Sequence, residues 1–153
     1  MAIVAISFAS ILIRWSEAPP EVIAFYRMLL ATMVLAPFAL RSRNRSDLAS
    51  LDRRTTAIML AVGAVLAIHF YAFNASLELT SVASATVLVT SHPLLVGVLG
   101  LFLLNERPRS GGLGIVIGLG GVVVISFADL GSGRVEGDLL ALVGMVAAAI
   151  YLL

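Results

Sequence analysis

The chain has 153 residues, of which 60% are hydrophobic and 12% charged, with a formal net charge of +1. Soluble domains carry roughly 25% charged residues, and a chain this short has too little interior to hide so much apolar surface; a soluble domain, a disordered chain and a nucleic-acid binder are excluded. All ten positive charges are arginine and there is no cysteine, so a disulfide framework, a thiolate metal site and a catalytic thiol are ruled out as well.

In chain order, Met1 to Ile13 is a short apolar run closed by Arg14-Trp15. It lacks the basic start and small-residue cleavage site of a signal peptide. Arg14 and Trp15 suit the headgroup region, and Pro19-Pro20 suit a tight turn. Val22 to Leu40 is a second span, interrupted only by Arg27. Thr55 to Leu77, Leu79 to Asn105 and Ser110 to Ala128 are uncharged and long enough to cross a bilayer as helices. Leu139 to Leu153 begins a sixth span. The runs do not alternate apolar and polar residues, which argues against a spanning barrel. The expected fold is all-α: a polytopic helix bundle embedded in the lipid bilayer, with connections too short to hold a soluble domain.

Arginine placement sets an orientation. The 41–54 loop holds Arg41, Arg43, Arg45, Arg53 and Arg54, and the 105–110 loop holds Arg107 and Arg109. The opposite side has Arg14 and Arg134. Both arginine-rich loops are therefore expected to be cytoplasmic, in a multi-pass protein of the cell membrane.

Helix packing in lipid relies on small residues. Gly111, Gly114, Gly118 and Gly121 form one stripe on the fifth span, suited either to packing within the chain or to a dimer seam. On the fourth span Thr86, Thr90, Pro93, Gly97 and Gly100 share a face. Pro93 cannot donate to the carbonyl of Val89, so a kink and a carbonyl in need of a partner are expected there.

Ionisable groups at depth usually face a bundle interior. Arg27 lies about 10 Å along its helix from Pro20; it can snorkel to the interface or serve binding. Tyr71, Asn74 and Glu78 share a face of the third span with Gly63, Ala64 and Ala67, and either line a substrate pathway or hydrogen-bond between helices. His69 and His92 lie among large aliphatics, and each is expected to meet a neighbouring helix; a proton relay is the alternative. No hydrolase motif, phosphate loop or third metal ligand accompanies them, so no catalytic residue, metal or cofactor is assigned.

Several segments resemble a known family. Ser7-Phe8-Ala9-Ser10, Arg14-Trp15, Ala18-Pro19-Pro20 and Ala24-Phe25-Tyr26-Arg27 resemble the opening of EamA-type proteins of the drug/metabolite transporter superfamily. The stretch Ala75 to Ala85 looks like that family's third-to-fourth helix join. Ser91-His92-Pro93, Asn105-Glu106-Arg107-Pro108 and the run Gly111 to Val124 follow in register. The resemblance implies a transporter moving small metabolites or drugs, often by efflux, built as two inverted five-helix repeats. Residues 1–128 then form the first repeat, and 129–153 a loop and the truncated start of a second. On that reading the partners are a small-molecule substrate and either a missing second repeat or a homo- or heterodimer partner. A non-transporting membrane scaffold or assembly subunit is the competing expectation.

Overall fold

A computed structural model describes residues 2–41, 48, 50–103, 112–129 and 134–152, all of it helical apart from turns. The helices are α1 (Ala2–Trp15), α2 (Pro20–Ala39), α3 (Arg53–Leu79), α4 (Val82–Thr90), α5 (His92–Leu103), α6 (Gly112–Asp129) and α7 (Val135–Leu152). Among the described residues, four spans are long and apolar enough to cross a membrane: Pro20–Ala39, Arg53–Leu79, Val82–Gly100 and Val135–Leu152. The apolar part of α6, Gly112–Val124, is shorter.

Each helix start has a local cause. Pro20 occupies the first turn of α2, where its missing N–H and fixed φ cost nothing. Asp52 caps α3 by accepting from the amides of Arg54 and Thr55. The Thr55 hydroxyl also donates to Asp52 and holds its carboxyl below its ordinary pKa. Ser81 caps α4 through the amide of Ser84. Between α1 and α2 the chain turns at Glu17, whose φ of 49° is the left-handed conformation that usually ends a helix with glycine.

Three differences from the apolar runs have a local cause. The third span extends through Glu78 to Leu79, because a glutamate at the last turn still reaches water and does not interrupt hydrogen bonding. The sixth begins at Val135, not Leu139, since Glu136 and Asp138 suit the positive end of a helix dipole. The fourth is two helices broken at Ser91. The Ser91 amide donates back to Val87 and Leu88, and Pro93 sits in the first turn of α5.

The core lies where α7 packs antiparallel against α3 and alongside α4. Leu88, Val89 and Ala141 are its buried centre, flanked by Phe73, Val122 and Leu142. Small residues of α7 (Ala141, Gly144, Ala147, Ala148) face inward and allow this approach. By contrast α2 is exposed along most of its length, with Ala24 its buried residue. The glycine stripe of α6 is only partly used. At Gly118 an added Cβ would stand 2.7 Å from the side chain of Leu94 on α5. At Gly114 and Gly121 no described atom lies within 4 Å of a Cβ position, so their expected packing role within the chain is not seen. Gly111 lies outside the described residues.

Candidate functional site

Polar side chains gather at one end of the bundle, where α1 ends, α2 starts, α3 ends and α4 and α7 start. The last carbonyls of α3 have no partner within their own helix. Arg14 Nη1 donates to the carbonyls of Leu77 and Thr80, each at 2.8 Å. A cation at a helix C-terminus also complements the dipole. Asp138, 6% exposed, accepts from the Thr80 hydroxyl at 2.8 Å and the Ser84 hydroxyl at 2.9 Å. One carboxylate therefore fastens α7 to both α3 and α4. The close approach depends on Gly137, where a Cβ would stand 2.6 Å from backbone atoms of Leu79 and Thr80.

Arg14 was legible as an interface residue, but the Asp138, Thr80 and Ser84 contacts were not. The signal that could have found them is an acid in the first turn of an apolar helix together with the hydroxyl-rich Thr80–Ser84 join.

Asn74 is 1% exposed. Its Nδ2 donates to the carbonyl of Pro20 at 3.4 Å, and its Oδ1 is buried with no hydrogen-bond partner. With Arg14, Glu17 and Glu78 it lines a cleft of about 250 Å³. The cleft shares Ile13, Ala18 and Ile23 with a cavity of about 450 Å³ beside Tyr26. That cavity in turn shares Arg27 and Leu30 with a groove of about 890 Å³ between α2 and α3, which ends at Leu40. The three form a track along α2. From Ala18 to Leu40 this is roughly 30 Å at helical rise, the thickness of a hydrocarbon core. Arg27 stands where the two larger cavities meet, its guanidinium 4.4 Å from the centre of the Phe70 ring.

Of the residues singled out in the sequence, Arg27, Asn74 and Glu78 lie on this track. Tyr71, Thr90 and Pro93 line none of its three cavities. Tyr71 is 48% exposed, and no described atom approaches a Cβ position at Gly63. The shared face of α3 is thus buried at Asn74 and open at Tyr71. Thr90 is exposed and its hydroxyl returns to the Thr86 carbonyl at 2.6 Å. Thr86 itself donates to Ser10 on α1 at 3.3 Å, and Gly97 faces Ile115 on α6. The break at Ser91 separates Gly97 from the two threonines, a face that one straight helix would have kept whole.

The histidines take different roles. His69 meets a neighbouring helix as expected, its Nδ1 lying 2.8 Å from the Gly144 carbonyl on α7. His92 does not. Its Nδ1 lies 3.0 Å from the carbonyl of Val89, the group that Pro93 leaves without its usual donor. The residue before the proline thus repairs the break from within the same span, with the proton on Nδ1. The two rings share no hydrogen bond. Among the described residues no three His, Cys, Asp or Glu side chains gather as metal ligands.

The EamA-like transporter family model matches residues 1–127. No curated protein and no solved structure matches the chain. A match over most of the chain, on a bundle whose apolar spans are long enough for the bilayer, makes this a multi-pass membrane protein of a non-enzymatic kind. The chain belongs to the EamA-like transporter family.

Proposed function

We propose that this protein carries small metabolites or drug-like molecules across the cell membrane, with export the direction that the family resemblance suggests. The observation that carries the reading is the track along α2: three cavities with shared walls, polar at the Asn74–Glu78 mouth, cationic at Arg27 and apolar beyond. Residues 1–128 are read as one five-helix repeat and 129–153 as the start of the next. Arg27, Asn74 and Glu78 are the pathway residues this arrangement supports best.

The test is flux. Proteoliposomes loaded with a defined mixture of amino acids, sugars, carboxylates and ethidium should lose at least one component faster than protein-free vesicles, read by mass spectrometry. Asn74→Leu should cut that loss about tenfold or more. The bundle should stay folded, because membrane hydrogen bonds are worth only about 0.6 to 2 kcal/mol and the Pro20 bond is long. If no component leaves faster than from protein-free vesicles, the chain does not transport by itself, and flux that stays absent with a second repeat or partner chain added supports the scaffold reading. Unchanged flux in Asn74→Leu removes that residue from the pathway.

We further propose that the 41–54 and 105–110 loops are cytoplasmic, on the seven-to-two arginine excess. Because the chain has no cysteine, single cysteines report cleanly. Ser132→Cys should react with an impermeant maleimide on intact cells, and Ser46→Cys only after lysis. The reverse pattern would invert the orientation.

A further inference from the structure

The groove between α2 and α3 is apolar along almost its whole length and holds one cation. That cation is Arg27, about 10 Å below the helix start by helical rise. Its Nη1 is buried without a hydrogen-bond acceptor, and it has no ion pair among the described residues. Phe70 covers one face of the guanidinium. Stacking uses the π face and leaves the planar N–H fork, which matches a carboxylate with two parallel hydrogen bonds. A charge this far into a membrane is costly unless it is paired. Glu21, on the same helix, stands six residues outward, roughly 9 Å along the axis. The groove volume, about 890 Å³, lies in the range that holds drug-sized ligands, roughly 300 to 1,000 Å³.

We infer that Arg27 is the anchor for an organic anion: a small amphipathic molecule whose carboxylate sits on the guanidinium fork and whose apolar body lies along Ala31, Leu35 and Leu66. This names a substrate class for the transport reading and rests on it. The binding claim can nevertheless fail or hold by itself. A lipid phosphate could supply the same anionic chemistry, so the test separates the two sources.

The chain is placed in phosphatidylcholine nanodiscs and titrated with 4-phenylbutyrate, with 4-phenylbutyramide as the neutral control of equal shape. Saturable binding of the acid is expected, with the amide at least tenfold weaker. Arg27→Gln should weaken the acid roughly tenfold to a hundredfold, the span expected when a hydrogen bond to a charged group is lost, and should leave the amide unchanged. Arg27→Lys should retain part of the affinity. Leu35→Trp, about two turns from Arg27, fills the groove without reaching the guanidinium and should block the acid even if Arg27→Gln does not fold.

Equal binding of acid and amide overturns the assignment, and so does full affinity in Arg27→Gln. Repeating the titration with a minority of phosphatidylglycerol distinguishes the sources. Loss of phenylbutyrate binding there assigns the site to lipid phosphate and overturns a soluble anion. Binding that survives while flux is absent leaves the anion site standing and removes the transport reading alone.

Discussion

Gly137→Ala should destabilise the bundle more than any other single added methyl group at the described glycines. The new Cβ would stand 2.6 Å from the Leu79 carbonyl carbon and the Thr80 amide nitrogen. Both are backbone atoms at the end of a 27-residue helix, so neither can turn aside as a side chain can. Over-packing costs typically about 1 to 3 kcal/mol, and a backbone clash belongs at the upper end. The first turn of α7 must move out, which stretches the Asp138 bonds as well. Gly144→Ala is the matched control. There the nearest atoms are at 3.4 to 3.6 Å, ordinary contact, and little change is expected. Thermal unfolding in detergent of the two variants would check this. Equal midpoints for Gly137→Ala and the parent would mean that α7 does not cross α3 as closely as described.

The second large effect is expected at Asp138. Asp138→Leu removes the acceptor shared by Thr80 and Ser84 at the buried junction of three helices. Losing a buried partner costs about 1 to 3 kcal/mol. Losing negative charge from the first turn of α7 adds about 0.3 to 1 kcal/mol. The hydroxyls can recover part of this by bonding back to their own helices, as Thr90 does to Thr86. Asp138→Asn keeps an acceptor oxygen in place and should cost less than half as much. A double-mutant cycle with Ser84→Ala would isolate the pair. Additive effects of the two changes would show that the bond contributes nothing to stability.

The helices could be read because lipid imposes one rule: an unbroken apolar run long enough to cross must satisfy its own backbone. Pro93 announced a kink and the orphaned Val89 carbonyl, although not that the span would break at Ser91 or that His92 would fill the gap. Asn74 and Arg27 were visible as polar residues at depth, and both lie on the track. Tyr71 shares Asn74's face of the helical wheel but stands in the open, because a wheel gives rotation and not which neighbour arrives there. The same limit hid the Asp138 junction. Its members are 54 and 58 residues apart in sequence, and no periodicity joins residues on different helices. Gly137 is the sharpest case. It looks like any glycine near a turn, and only the path of Leu79–Thr80 shows why a side chain has no room there.

Among the described residues, the hydrogen bonds of α3 to other helices, through His69, Asn74, Leu77 and Thr80, all fall in its C-terminal half. Such a helix behaves mechanically as a lever clamped at one end. Its arm beyond His69 is about 24 Å long by helical rise, so a tilt of about 10° at His69 carries the free tip through about 4 Å. The same rotation barely moves the clamp. Angular freedom at His69 would therefore be magnified toward the arginine-rich end. A rotation of that size would change the α2–α3 gap most at that end and least among the bonds from His69 to Thr80.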